Sequence, residues 1–413
     1  MNKNPQRQVS QSAPTSFGRL LELPKGAPTA LLHSGPDGPA WLFSEPVAEL
    51  RLEESHWRGG WRRLEEFLRL HRGRRCVGYM SYDLRDDVEE LPRTAEDDFL
   101  WPCMEFTAFD RVEEWQPTLA PPPPPVSAAR DLRSLTSRRD YEARVAKVVE
   151  HIRAGDIFQA NLTQPFTADF EDDPRKLFWK LCHASPAPFA AYCEDSDGAA
   201  VLCSSPEEFL FVDGAHVRSR PIKGTRPRGS TTHEDAALLQ ELLDSEKDQA
   251  ELAMIVDLLR NDLGKVATAG SVQVGAFPEH ASYAQVHHTF AEISAILRPG
   301  ISMVDVLRAT FPGGSITGAP KLRAMEVIES LELCRRGLYT GAIGWIGPGP
   351  KMHLNIAIRT MVYRDGRLRF NTGGGITADS DPGAEFEETM HKAAGMVAAL
   401  GTELHISDDV CPE

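Results

Sequence analysis

Two pairs of acidic residues are spaced so that each pair could act as a unit. Asp248 and Glu251 form the first pair, and Glu385 and Glu388 form the second. Residues three apart lie on one face of a helix, so each pair would present two carboxylates side by side. Four such groups brought together repel one another unless a cation neutralises them, and all-oxygen ligands favour Mg²⁺. The alternative is two solvated helix faces, although the apolar residues that follow Glu251 favour burial of its helix.

Lys223 is the second candidate for chemistry. It lies in the segment RSRPIKGTRPRG (residues 218–229), which also contains four arginines: Arg218, Arg220, Arg226 and Arg228. Neighbouring positive charge and partial desolvation favour the neutral amine, which is the nucleophilic form of lysine. The segment could equally be a solvated basic loop or one that binds phosphate.

A third candidate is Glu207, at a predicted turn in SSPE just before the apolar run FLFV. Its carboxyl group could serve as an acid, or it could cap the turn. The two roles are equally compatible with the sequence.

Two glycine-rich segments could bring backbone amides close to a ligand. FPGGSITGAPK (311–321) lacks the Lys and Ser or Thr of a phosphate-binding loop after its last glycine, and it predicts a tight turn that leads into a helix. NTGGGIT (371–377) follows a predicted strand, and its amides could contact an anion such as a carboxylate. A flexible hairpin is the alternative for this second segment.

Helices and hairpins must position these residues. Apolar spacing predicts helices over residues 139–153, 235–262, 321–332 and 384–400, and hairpin turns at residues 213–214 and 365–366. This mixture predicts an α+β fold with antiparallel sheets. The run of five prolines at 121–125 suggests a stiff connector over residues 117–130 between a β-rich module (1–116) and a larger module (131–405).

Charge and composition exclude several classes of function. The net charge is −15, which argues against a nucleic-acid or anionic-membrane platform. The polar N-terminus and the lack of a long apolar stretch predict a cytoplasmic protein. The seven cysteines include no CxxC pair, as expected for reduced, buried thiols.

Five of these segments occur together in an order that resembles the chorismate-utilising enzymes. The resemblance spans residues 139–400 and implies that family's fold, antiparallel β-sheets packed in a sandwich and flanked by helices. It is carried by PIKGT (221–225), MIVDLLRNDLG (254–264), FPGGSITGAPKLRAMEVIE (311–329), AIRT (357–360) and TGGGITADSDPGAEFEETMHKA (372–393).

Two positions separate the reactions of this family. Gln159 stands where isochorismate and salicylate synthases carry a water-activating lysine, so water addition is disfavoured. Lys223 matches the lysine of aminodeoxychorismate synthases, where anthranilate synthases have alanine. The resemblance therefore implies amination of chorismate at C4. Anthranilate synthesis is the alternative reaction, and a noncatalytic protein that binds nucleic acid through its basic loop is an alternative of another class.

The resemblance also implies roles for individual residues. Lys223 would attack C2 of the ring and Glu207 would protonate the departing C4 hydroxyl. Mg²⁺ would be held by Glu251 and Glu388, supported by Asp248 and Glu385. Arg359 and Tyr339 would hold the enolpyruvyl carboxylate. The remaining contacts to the substrate would come from Gly224, Thr225, His288, Gly373, Gly374, Gly375 and Lys392.

The resemblance has two further implications. Ser34, in LLHS, matches the LLES segment that lines a tryptophan pocket in anthranilate synthases. No cysteine lies in a glutaminase-type GxCxG context, so a separate glutamine amidotransferase subunit is the expected partner and the source of ammonia.

Overall fold

A computed structural model describes residues 15–35, 38–53, 57–116, 122–283 and 286–407. Within these ranges the chain forms nine α-helices. They are α1 (Ser16–Glu22), α2 (Gly60–Leu70), α3 (Arg138–Arg153), α4 (Pro174–Ala184), α5 (Thr232–Leu243), α6 (Glu246–Gly264), α7 (Met303–Thr310), α8 (Lys321–Leu331) and α9 (Pro382–Leu400).

The strands of the described residues form one sheet of seventeen strands and one of three, and the pairings between them are antiparallel. The predicted α+β class is confirmed. The strands are β1 (Thr29–His33), β2 (Ala40–Leu52), β3 (Arg75–Met80), β4 (Met104–Trp115), β5 (Arg130–Ser134), β6 (Gln159–Asp169), β7 (Phe189–Glu194), β8 (Ala200–Ser205), β9 (Glu208–Asp213), β10 (His216–Arg220), β11 (Ile222–Pro227), β12 (Gln273–Val274), β13 (Glu279–Ser282), β14 (Val286–Phe290), β15 (Ile293–Ile296), β16 (Gly318–Ala319), β17 (Ala342–Ile346), β18 (Lys351–Ile356), β19 (Thr360–Arg364) and β20 (Arg367–Ile376).

Strands from both ends of the chain share the large sheet. β1 pairs with β7, and β3 pairs with β17. The connector predicted for residues 117–130 lies partly outside the described residues, and the division into two modules stays a prediction. Both predicted hairpin turns are confirmed, since β9 turns into β10 and β19 into β20 at the expected residues.

Three of the four predicted helices are confirmed as α3, α8 and α9, with ends within two residues of the prediction. The fourth, a single helix over residues 235–262, is wrong. It is two helices, because the chain breaks at Asp244 and Ser245 and the Ser245 hydroxyl accepts the backbone N–H of Asp248 at the start of α6. The break places Asp248 in the first turn of α6 and Glu251 one turn further on.

Apolar side chains of α3, α8 and α9 pack against β6 and β20. Val148, Leu162, Ile376 and Phe386 are all buried in this cluster. Burial of each such side chain contributes roughly 1.5–3 kcal/mol, so α9 and its carboxylates are fixed firmly beside the glycine segment of β20. Among the described residues, none of the helices combines the length and apolar character of a membrane span.

Candidate active site

Lys223 lies on an edge strand and not in the loop suggested by its sequence. β11 pairs only with β14 in the three-stranded sheet, and the register shifts between Lys223 and Thr225. Gly224 occupies this bulge with φ +79, and a Cβ there would lie within 3.1 Å of side-chain atoms of Leu242 and Asp248. Because glycine has no side chain, the bulge brings Lys223 against the start of α6.

The expected excess of positive charge around Lys223 is wrong. Each arginine of the segment is paired with a carboxylate, in the pairs Arg218–Glu208 (2.9 Å), Arg220–Glu292 (2.5 Å), Arg226–Glu241 (2.8 Å) and Arg228–Asp235 (2.7 Å). Lys223 Nζ itself lies 3.2 Å from Glu251 Oε2. The sequence could not reveal these pairs, because each depends on how neighbouring elements fold together, and Glu292 lies 72 residues from Arg220.

Glu207 is buried and lies close to Lys223. Its side chain accepts a hydrogen bond from Ser315 Oγ at 2.5 Å, and burial raises its pKa to about 7, against the opposing effects of Ser315, Lys223 and Lys392. A carboxyl group with this pKa is protonated in a large fraction of molecules at neutral pH, so it can donate a proton. The turn itself is capped by Ser205, whose hydroxyl accepts the Glu207 N–H.

The three glycines of NTGGGIT lie within β20 and pair with β6, so this segment is a strand and not a flexible hairpin. A Cβ at Gly374 would lie 3.1 Å from Glu385 Oε2 and 3.4 Å from Glu388 Oε1. A Cβ at Gly375 would overlap Gln159 Nε2 and lie 2.9 Å from Lys223 Nζ. The missing side chains therefore leave room for the α9 carboxylates beside Gly374 and for Lys223 of β11 beside Gly375.

Lys392 joins the three glycines of β20 (Gly373, Gly374 and Gly375), called here the glycine strand, to the acidic pair of α9. Its Nζ donates to Gly373 O at 2.9 Å and to Glu388 Oε1 at 2.7 Å. Lys223 and Lys392 both help to hold the pKa of Glu388 below its ordinary value, although burial opposes them. The structure thus brings Lys223, Glu207, Glu251, Glu388 and Lys392 into one group.

The fit of a cation differs between the two acidic pairs. Glu385 Oε2 is buried and has no hydrogen-bond partner among the described residues, and burial together with Glu388 raises the pKa of Glu385. Asp248 and Glu251 instead face Arg226 (3.6 Å) and Lys223. In the part of the chain that the structure describes, no three Asp, Glu, His or Cys groups are gathered closely enough to hold one metal ion. Glu385, with its unpartnered oxygen, fits an oxygen-seeking cation as it stands, whereas Glu388 would have to exchange its bond to Lys392, and Asp248 and Glu251 their contacts with Arg226 and Lys223.

His288 and Thr225 line the same site from neighbouring strands. The Nδ1 atom of His288 and the Oγ1 atom of Thr225 lie 2.8 Å apart, while the buried His288 Nε2 has no hydrogen-bond partner within the part of the chain that the structure describes. Burial and the Arg359 charge lower the pKa of His288 to about 4, so the ring is neutral at pH 7. The lowered pKa of Arg359 is caused by its own burial. Tyr339 is buried and lines a pocket with Trp101, Thr360 and Arg369; its pKa is raised by burial, with a smaller contribution from the charge of Glu207.

Ser34 is not part of this group. It lies at the end of β1 and lines a separate pocket with His33, Trp41, Phe189, Trp345 and His353. A role for this pocket in binding tryptophan stays a prediction.

Ser315 is a site residue that the sequence interpretation missed. FPGGSITGAPK was interpreted only as a turn that leads into a helix, and nothing in its spacing indicated which side chain would reach Glu207. The signal that was available is the density of glycine and proline around one hydroxyl residue, which is typical of a loop in a fixed conformation.

The chain resembles known proteins in both sequence and structure. Residues 28–398 match the chorismate binding enzyme family. The chain is 36% identical over 383 residues to an anthranilate synthase component 1 of Haloarcula marismortui, covering 82% of this chain and 78% of that protein. It is 38% identical over 347 residues to aminodeoxychorismate synthase component 1 of Escherichia coli, covering 79% and 76%. The crystal structure of anthranilate synthase component I from Streptococcus pneumoniae superimposes with a TM-score of 0.77 and 26% identity, covering 96% of this chain and all of that one.

Proposed function

Because this chain belongs to the chorismate binding enzyme family, we propose that it aminates chorismate at C4. The product would be 4-amino-4-deoxychorismate, the precursor of 4-aminobenzoate, which is used in folate synthesis. Ammonia would come from a glutamine amidotransferase partner, in keeping with the "component 1" in the names of its relatives.

Residue 223 is the observation that carries this choice. The chain is about equally similar to relatives named for anthranilate synthesis and for aminodeoxychorismate synthesis, at 36% and 38% identity, so overall similarity does not separate the two reactions. A lysine at position 223 supplies a nucleophile beside the glycine strand, 2.9 Å from the Cβ position of Gly375. An alanine there could not form a covalent bond to the ring.

The proposed reaction has two displacements. Lys223 Nζ forms a bond to C2, the ring double bonds shift, and the C4–O bond breaks as Glu207 gives its proton to the departing hydroxyl, which leaves as water. Ammonia then forms a bond to C4, the double bonds shift back, and the C2–N bond breaks to release Lys223 as a neutral amine. A proton from the new ammonium group restores the Glu207 acid.

Other residues of the site would hold the substrate. Arg359 is half-buried and has no ion-pair partner among the described residues, so it is suited to a carboxylate of chorismate, and the buried Tyr339 would be a second contact to that group. Bound Mg²⁺ would neutralise the acidic side chains and the ring carboxylate, held by Glu251 and Glu388 with Asp248 and Glu385 in support. Lys392 holds α9 against the glycine strand through its hydrogen bonds to Gly373 and Glu388.

The product distinguishes the proposed reaction from its alternative. The purified chain is incubated with chorismate, Mg²⁺ and an ammonium salt, and aminodeoxychorismate lyase is then added. We expect 4-aminobenzoate to appear only after the lyase. Formation of anthranilate without the lyase would show instead the reaction named for the Haloarcula marismortui relative.

A further inference from the structure

The segment FPGGSITGAPK builds a loop that is pressed between two elements of the site. A Cβ at Gly313 would lie 2.7 Å from Ile356 Cδ1 at the end of β18, and a Cβ at Gly314 would lie 2.9 Å from Leu258 Cδ2 of α6. Neither position has room for a larger residue without movement of its neighbour. The glycines therefore allow the loop to approach the helix that carries Glu251.

Two cations, the half-buried Lys321 and the buried Arg336, fix this loop from either end. Lys321 Nζ donates to the carbonyl oxygens of Thr310 (3.1 Å) and Pro312 (2.9 Å) and is paired with the buried Asp262 of α6. Arg336 Nη1 donates to Ile316 O at 3.0 Å. Charged donors give the stronger class of hydrogen bond, so the residues between these anchors are held in one conformation.

Ser315 is the residue that this loop presents to the site. Its Oγ donates to Glu207 Oε1 at 2.5 Å. We propose that Ser315 is a positioning residue, which orients the Glu207 carboxyl group and favours its ionised form, and so sets the pH range in which Glu207 can act as an acid. This inference rests on the proposed function, because it assigns a role to the neighbour of the proposed acid.

The other groups that face Glu207 come from separate elements. Lys223 of β11, Lys392 of α9 and the Ile222 backbone N–H lower its pKa, and Tyr339 faces it from the segment before β17. Substitution of Ser315 leaves all of these in place. Burial raises the pKa of Glu207 and the Ser315 hydrogen bond lowers it, so loss of that bond leaves burial less opposed. The pKa of Glu207 should then rise above its value of about 7, by about one unit.

The sign of the effect on activity follows from the role of the acid. Glu207 must be protonated to act, so the rate falls as pH rises through its pKa. In Ser315→Ala this fall moves to higher pH, by about one unit. A residue with only a structural role would lower the rate by the same factor at every pH.

The experiment measures pH profiles of kcat/KM for the full chain with chorismate and Mg²⁺. The concentration of free ammonia is kept constant at each pH, because ammonium itself ionises in the alkaline range. Ser315→Ala is compared with Ser315→Thr, which keeps the hydroxyl, and with Ser330→Ala, whose hydroxyl bonds only Val327 O within α8. Thermal unfolding checks that each variant is folded.

We expect an upward shift of the alkaline limb in Ser315→Ala, a profile closer to wild type in Ser315→Thr, and no shift in Ser330→Ala. An unshifted limb in a folded Ser315→Ala variant overturns the proposal, whatever its rate. Failure of the proposed function is recognised separately, because the wild-type chain would then form no aminated product, or Glu207→Gln would keep the wild-type rate and profile.

Discussion

Glu207 and Glu105 are two buried glutamates with raised pKa values in very different surroundings. Their exposed fractions are 5% and 6%, and burial raises their pKa values to about 7 and about 8. Glu105 lies on β4, where its carboxylate accepts a hydrogen bond from the buried Tyr79 hydroxyl at 3.3 Å. Asp195 adds to the rise in its pKa, and Arg51 opposes it.

The difference lies in what each carboxyl group faces. Glu207 faces Lys223 and Lys392, and Lys223 lies beside Gly375, whose missing side chain leaves space. Glu105 faces an enclosed phenol and the Arg51–Asp195 pair. Burial alone thus raises a pKa without creating a site, and a nucleophile with room for a substrate makes the functional difference.

Removal of the proposed nucleophile, Lys223, should have the largest effect on the rate of amination. In Lys223→Ala no covalent bond to the ring can form, so we expect amination to slow by on the order of 10³-fold or more. The rate of chorismate consumption with ammonium and Mg²⁺ measures it. Binding of Mg²⁺, followed by calorimetry, should remain.

A matched control for this variant is Lys351→Ala, which removes a lysine paired with Asp213 at the β9–β10 turn. It should keep the wild-type rate. Full activity in Lys223→Ala would refute the covalent step.

The two glutamates can be compared directly by the same substitution. Glu207→Gln keeps the shape of the side chain and loses the proton, so kcat should fall by roughly 10²–10⁴-fold. Glu105→Gln should leave kcat close to wild type. Steady-state kinetics at neutral pH measures both. Equal losses of kcat in the two variants would show that Glu207 has no catalytic role that Glu105 lacks.

Filling the space beside the glycine strand should have the next largest effect on activity. Gly375→Ala places a methyl group against Gln159 and Lys223 and displaces the nucleophile, so we expect a loss of about 10²-fold in kcat/KM. Gly73→Ala is the control, since nothing lies within 4 Å of a Cβ there. An unimpaired Gly375→Ala variant would show that this space is not used.

The smallest expected effect is on stability and concerns Glu105. Its pKa is higher in the folded protein than in the unfolded chain, so the unfolded chain loses its proton first and stability falls as pH rises from its ordinary value toward about 8. Glu105→Gln removes this dependence. Tm of the variant should exceed that of wild type at pH 8 by roughly 2 °C or more, and the gap should shrink at pH 5. A gap independent of pH would contradict the assignment.

The sequence predicted much of the fold, because the information is local. Apolar spacing located α3, α8 and α9, and Asp-Gly pairs located two hairpins. The prediction of one helix over residues 235–262 failed at the break between α5 and α6, because the apolar pattern runs through the break and does not reveal that Ser245 caps a new helix. A cap is a three-dimensional contact, and its residues are also common within helices.

Some of the predicted site residues lie close together in the structure, but their ion pairs were not predicted, and their roles stay predictions. Lys223, Glu207 and the α9 carboxylates do converge, yet the arginines near Lys223 are neutralised by partners such as Glu292, 72 residues from Arg220. Ser315 reaches Glu207 across 108 residues of chain. Contacts at such separations depend on the tertiary fold, and no local pattern contains them.

The most direct test of the account is a covalent bond between the ring and Lys223. The chain is mixed with chorismate and Mg²⁺ without ammonia, quenched in acid, digested and analysed by mass spectrometry. We predict a peptide containing Lys223 that has gained the mass of chorismate less one water. The central claim is contradicted if ammonia yields aminated product while the adduct is absent or lies on another residue, such as Lys392.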